Sequence, residues 1–188
     1  MKSNKEQFKI CVSGAAQTEI CCSNIQELAK EVGREIAREG HILLTGATTG
    51  VPYLAACGAK EVGGISIGFS PASSEKEHLK RYKLPIDKFD LICYTGFDYV
   101  GRNLILTKSA DGVIIICGRT GTLNEFTVAF ETKTPIGVLE GSGGIADLIR
   151  EILSQGHRPK TSVIFEKDPK ILVQKLVQLI KKEKKLNH

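Results

Sequence analysis

An unbroken apolar run, Val113-Ile114-Ile115-Ile116, ends in Cys117-Gly118-Arg119-Thr120-Gly121-Thr122, and a lone carboxylate, Glu125, follows within the next helical turn. This combination is suited to holding an anion. Gly118 and Gly121 let the backbone come close to a ligand, while Thr120 and Thr122 set hydroxyls beside the N–H groups of a helix start. The positive end of a helix favours anions, phosphate above all. A carboxylate works against phosphate binding, so Glu125 is expected to serve another part of the ligand. The plainer alternative is a strand–turn–helix connection with a surface glutamate.

The elements that must hold these residues follow from hydrophobic periodicity. Only a strand buried on both faces tolerates a run such as residues 113–116, which marks a central parallel strand. Further strands are expected at residues 8–12, 41–44, 65–69, 89–94, 135–139 and 162–165. Helices are expected from Ser23 or Asn24 to about residue 39, and at about 50–62, 99–108, 122–131, 144–153 and 169–182. This alternation specifies an α/β fold, one doubly wound parallel sheet of about seven strands with helices on both faces. Ligands in such sheets sit beyond the carboxyl ends of the strands, where the strand order reverses.

Three strand ends carry glycine and hydroxyls: Ser13-Gly14-Ala15-Ala16, Thr45-Gly46-Ala47-Thr48-Thr49-Gly50, and the turn after residue 116. One such turn is a tight connection and no more. Three at one edge make a nucleotide-sized pocket, with Gly14, Gly46, Thr49, Gly50, Gly118, Arg119, Thr120, Gly121 and Thr122 as its binding residues. No GxGxxG follows the first strand and no GxxxxGK[ST] occurs, so ordinary dinucleotide and P-loop readings lack support. Pro52 suits the first turn of its helix.

The 188 residues, 41% of them hydrophobic and 25% charged, describe one globular domain with an ordered core over residues 7–183. No apolar run approaches the roughly 18–20 residues that span a bilayer. The amino terminus lacks a signal-peptide core, and a cytoplasmic location is expected. Of six cysteines, Cys11, Cys93 and Cys117 are expected to pack as small apolar residues, Cys57 lies on a helix, and Cys21 and Cys22 share a loop. A reactive thiol at Cys117, activated by a helix start, is the alternative there. No CxxC or His-rich spacing suggests zinc, and no metal or cofactor is expected. The net charge of +5 comes largely from the lysines of the tail 181–188, read as a solvated helix end. The polar segment 70–88 is expected to be a mobile flap or a surface excursion. His78 is expected to be a solvated loop residue, His41 to cap a strand, and His157 and His188 to be incidental. Asp98 is expected to cap its helix, and Asp111 to turn the chain into its strand.

Arg102-Asn103, then Ala110-Asp111, the strand, and Gly121-Thr122-Leu123-Asn124-Glu125, with the upstream Thr45-Gly46-Ala47-Thr48-Thr49-Gly50, together resemble the SLOG superfamily of Rossmann-like proteins. That superfamily includes the LONELY GUY (LOG) phosphoribohydrolases, also labelled lysine decarboxylase-like, and the molybdenum cofactor carrier proteins. The resemblance runs from the first strand to about Pro135. It implies that Arg102 and Glu125 take the catalytic positions and that Gly118, Gly121 and Thr122 take phosphate-binding ones. Cys117, Arg119 and Asn103 depart from the LOG pattern PGGxGTxxE with its upstream Arg-Lys. The Arg-Asn pair looks more like the carrier branch, whose members bind and do not cleave.

The resemblance thus implies a protein that binds a nucleoside monophosphate or related phosphorylated compound. Its alternative is a phosphoribohydrolase, in which Glu125 stabilises an oxocarbenium-like sugar and Arg102 holds Glu125 ionised or binds the ligand directly. A homo-oligomer, dimer or tetramer, is also implied. Single-stranded DNA binding, as in the related DNA-processing A family, is a third reading. Nucleic acid is not the expected partner, because the chain is 6% aromatic, has no Trp, and concentrates its basic excess at the tail.

Overall fold

The computed structural model describes residues 6–156 and 162–186. All seven strands run parallel in one sheet: β1 (Lys9–Gly14), β2 (Ile42–Thr45), β3 (Ser66–Ser70), β4 (Leu91–Tyr94), β5 (Gly112–Ile116), β6 (Ile136–Leu139) and β7 (Val163–Glu166). Seven helices connect or follow them: α1 (Ile25–Arg38), α2 (Val51–Glu61), α3 (Glu75–Lys80), α4 (Asp98–Ser109), α5 (Thr120–Glu131), α6 (Gly144–Gln155) and α7 (Pro169–Leu186). The fold is the expected doubly wound, Rossmann-like one.

The sheet order is β4-β3-β2-β1-β5-β6-β7. The chain winds outward from β1 to β4, returns to lie against the other side of β1 as β5, and winds outward again. The reversal therefore falls between β1 and β5, with Cys11 opposite Val113 and Gly14 opposite Ile116. Splayed connections at such a point leave a crevice at the carboxyl edge.

Strand alternation explains the two cores. Ile10, Val12, Ile114 and Ile116 pack on one face against α1, α2 and α7, through residues such as Ile36, Ala55 and Leu176. Cys11, Val113 and Ile115 pack on the other against α4, α5 and α6, through Leu106, Phe126 and Ile149. Every residue of β5 is buried, which is why its sequence shows no polar alternation. On α1, Ile25, Ala29, Val32 and Ile36 form the buried stripe of an amphipathic helix.

Several local expectations need correction. The segment after β3 is ordered around α3. Ser74 Oγ accepts from Glu77 N at 3.3 Å, and Glu77 Oε2 accepts from Ser73 N at 2.8 Å. His78 is fully buried and not solvated: Nδ1 lies 2.8 Å from Ser70 Oγ and Nε2 3.1 Å from the Pro85 carbonyl. The carbonyl can only accept, so Nε2 carries a proton toward it. Asp98 is the first residue of α4 and not its cap, which is Phe97; its carboxylate instead takes the Tyr82 hydroxyl.

Cys117 is not a free apolar filler. It is disulfide-bonded to Cys21 in the loop between β1 and α1, with the two Cα atoms 5.6 Å apart. His41 is buried before β2 and its Nδ1 accepts from Phe8 N at 3.2 Å. Asp111 ties the entry of β5 to β1 by accepting from Lys9 N at 2.8 Å. His157 and His188 lie outside the described residues. Among the described residues, no helix is long and apolar enough to cross a membrane.

Candidate functional site

At the β1/β5 reversal a cavity of about 420 Å³ opens beyond the carboxyl ends of the strands. Sequence-expected residues from four strand–helix units meet there: Gly14 at the end of β1, Gly46 and Thr49 after β2, Arg102 on α4, and Arg119, Gly121, Thr122 and Glu125 around α5. Gly50, Gly118 and Thr120 are not among its lining residues. Gly50 closes the start of α2 behind the wall, at φ +68°. Gly118 has φ +103°, and a Cβ there would stand 2.5 Å from Thr122 Cβ, so the turn needs glycine. Thr120 is the exposed first residue of α5.

Arg102 and Glu125 are the buried charges of this cavity, 5% and 7% exposed. Arg102 Nη1 lies 3.8 Å from Glu125 Oε1, beyond hydrogen-bonding distance. Gly46 makes room for the guanidinium, since a Cβ at that position would sit 1.6 Å from Nη1. Arg102 Nε has no hydrogen-bond partner among the described residues. Glu125 is held from two sides. Ser13 Oγ donates to Oε2. The Asn103 amide, oriented with its nitrogen toward the acid, donates to Oε1 at 3.1 Å and to the Tyr99 carbonyl at 2.9 Å.

The β5–α5 turn is braced from behind. Ile145 N and Ala146 N, at the start of α6, donate to the carbonyls of Gly118 and Cys117 at 3.0 and 2.9 Å. Ser142 Oγ accepts from Cys117 N at 2.8 Å. The Cys21–Cys117 bond and a bridge between Cys21 and Gly143 join the β1–α1 loop to the same knot. Arg119 crosses the mouth, donating to Gln17 Oε1 at 2.6 Å with Glu19 3.8 Å away. No side chain caps α5, although its first turn carries Gly121 and Thr122 into the cavity wall.

The model of the SLOG cluster4 family matches residues 7–173. The chain belongs to the SLOG cluster4 family. An uncharacterised protein of Archaeoglobus fulgidus is 31% identical over 133 residues, which cover 71% of this chain and 80% of the relative. The molybdenum cofactor binding protein of Rippkaea orientalis is 28% identical with a TM-score of 0.75, over 93% of this chain and 98% of that one. The molybdenum cofactor carrier protein of Chlamydomonas reinhardtii is 28% identical with a TM-score of 0.73, over 93% and 99%.

In this SLOG protein the electrostatics of Glu125 differ from expectation. Burial pushes its carboxyl above the ordinary range, and the opposing pull of Arg102 and of the Ser13 hydroxyl is smaller. Of the two roles expected for Arg102, holding the acid ionised or binding the ligand directly, the first has weaker support. The guanidinium stands too far away to donate a hydrogen bond, and its charge offsets only part of the effect of burial. A protonated Glu125 can donate a proton, whereas an ionised one can only accept.

Sequence reasoning passed over four site residues. Ser13 was visible only as a hydroxyl at a strand end, and Asn103 only as a departure from a family pattern. Tyr82 and Tyr99 line the cavity as well, and no local spacing marks them.

Proposed function

We propose that this SLOG protein binds a nucleoside monophosphate, or a related phosphorylated ligand, in the β1/β5 crevice. The observation that carries this reading is Arg102: a cation almost wholly withdrawn from water at a cavity wall, with one donor unpartnered among the described residues. A buried charge without its full set of hydrogen bonds is costly, and an anion in the cavity would add to the partial compensation that Glu125 gives at 3.8 Å. The uncapped start of α5 offers backbone amides to the phosphate. Burial pushes the Glu125 carboxyl toward its neutral form, which lessens repulsion of an anion, and the carboxyl is placed to take a sugar hydroxyl. Similarity to proteins that carry the molybdenum cofactor favours a binder.

A second reading, hydrolysis of the N-glycosidic bond, is favoured by the raised carboxyl of Glu125. In that reaction the bond between the anomeric carbon and the base nitrogen breaks with its electron pair going to the nitrogen, which takes a proton. Water adds to the carbon and returns a proton to the spent donor. Glu125 is the candidate donor, with Ser13 fixing its orientation.

Both readings are tested by incubating the pure protein with a panel of nucleoside monophosphates, following free base by chromatography and binding by calorimetry. Saturable binding without base release supports the carrier reading. Release abolished by Glu125→Gln supports the hydrolase. A protein that neither binds nor cleaves any member of the panel would overturn the proposal.

A further inference from the structure

The wall of the cavity away from α5 is aromatic. Tyr82 and Leu84 line it from the segment that follows α3, and Tyr99 lines it from the first turn of α4. The two tyrosine rings lie 5.5 Å apart at 85°, edge to face. The guanidinium carbon of Arg102 is 5.8 Å from the Tyr99 ring. Tyr99 remains 46% exposed, so core packing does not account for an aromatic residue at that position.

This wall is fixed in place. The Tyr82 hydroxyl donates to the Asp98 carboxylate, and the Arg81 guanidinium carbon sits 5.0 Å from the Tyr82 ring. Behind it, Leu84 N donates to the His78 carbonyl at 3.2 Å, and the His78 ring is held between Ser70 and Pro85. A ring held in place by the fold loses little further freedom when a ligand stacks on it.

The strand order separates this wall from the α5 turn. Tyr82 follows β3 and the turn follows β5, with β2 and β1 between those strands in the sheet, while Tyr99 reaches the cavity from the first turn of α4, one helical turn before Arg102. Arg102, Glu125 and Ser13 occupy the ground between. A phosphate seated at α5 therefore leaves the aromatic end to whatever lies at the other end of the ligand. A bare sugar phosphate would leave that end filled by water.

Resting on the phosphorylated-ligand reading above, we infer that Tyr82 and Tyr99 form a ring subsite, so that the ligand is a phosphorylated compound bearing a planar aromatic base. A base stacked on one of the two rings gains contact at little cost in ordering, and every base has a face to offer. The pair selects for the presence of a ring more than for its identity.

The test compares adenosine 5′-monophosphate, ribose 5-phosphate and inorganic phosphate by calorimetry. Tyrosine emission gives a second readout, because the chain has four Tyr and no Trp. Adenosine 5′-monophosphate should bind at least tenfold more tightly than ribose 5-phosphate. Tyr82→Leu and Tyr99→Leu should each weaken it by about ten- to a hundredfold, the worth of a base–aromatic stack, and leave ribose 5-phosphate within twofold. Tyr99→Phe should retain the affinity. Ribose 5-phosphate also reports whether a leucine variant has kept its fold. Equal affinity for the two sugar-bearing probes, or equal losses in the leucine variants, would overturn the ring subsite while sparing the phosphorylated-ligand reading. Binding of neither probe would overturn both.

Discussion

Ser13, at the carboxyl end of β1, donates its hydroxyl to Glu125 on α5, 112 residues further along the chain. The contact spans the strand reversal and joins the two halves of the winding. It also supplies the only side-chain hydroxyl seen donating to Glu125 among the described residues. Removing it by Ser13→Ala should leave the buried acid less satisfied and raise its apparent pKa further. The midpoint measured by NMR titration of the labelled carboxyl should move upward; a downward shift would contradict this account.

Glu125→Gln should separate stability from function through pH. The folded-state pKa of Glu125 lies above its unfolded value, so its contribution to stability is fully present below the ordinary carboxylate range and is lost as pH rises through the folded-state value. Glutamine does not titrate. The melting temperature of the wild type relative to Glu125→Gln should therefore fall as pH rises from about 4, the ordinary carboxylate range, toward neutrality. A difference that stays flat, or grows in favour of the wild type, would mean that Glu125 is ionised in the fold.

Gly46→Ala should act on Arg102 without touching any charge. The new methyl would overlap the guanidinium, which has to leave its place beside Glu125. Nucleoside monophosphate affinity should drop tenfold or more in calorimetry, as it should in Arg102→Ala. Unchanged affinity in Gly46→Ala would show that the guanidinium position is immaterial to binding.

Reducing the Cys21–Cys117 bond should destabilise the chain. It closes a loop of 96 residues, and chain entropy places the stabilisation of so long a loop at roughly 4–5 kcal/mol at most. Urea unfolding with and without dithiothreitol, and of Cys21→Ser, should give lower midpoints for the reduced and mutant forms. Cys22→Ser, at a free cysteine, should match the oxidised wild type. Coincident curves for all four would refute the prediction.

Ser70→Ala should loosen the segment that carries Tyr82. It leaves the buried His78 Nδ1 without its partner, at a cost of about 1–3 kcal/mol. Limited proteolysis should then cut more readily within residues 71–88, and equal protection would argue against the His78 anchor.

Much of the architecture was legible because parallel strands buried on both faces leave apolar runs with little else to resemble. All seven runs became strands, whereas the place of the reversal, between β1 and β5, came from the structure. Glu125 was legible by type and position and Arg102 through the family resemblance, and the structure brings both into one cavity. What escaped was long-range or small. The Cys21–Cys117 pairing depends on which loops the sheet order brings together, and six cysteines do not specify it. The helix α3 had a written signal, Ser74 three residues before Glu77, overlooked because the segment is polar. His78 looked solvated because its neighbours are charged, yet its two ring nitrogens find partners only in the folded chain. The raised carboxyl of Glu125 comes from burial among residues of separate elements, which no local spacing reports.

Ser13, Gly46, Arg102 and Glu125 come from four separate windings of the chain, and no contiguous fragment holds more than part of the cavity. Recognition is therefore a property of the whole native state, and an unfolded or truncated chain has nothing to offer a ligand. Any true ligand must then delay unfolding of the entire molecule, by about 2.7 kcal/mol when present at a hundred times its dissociation constant. Melting the protein against a library of small phosphorylated compounds would let the molecule name its own cargo without an assay for chemistry.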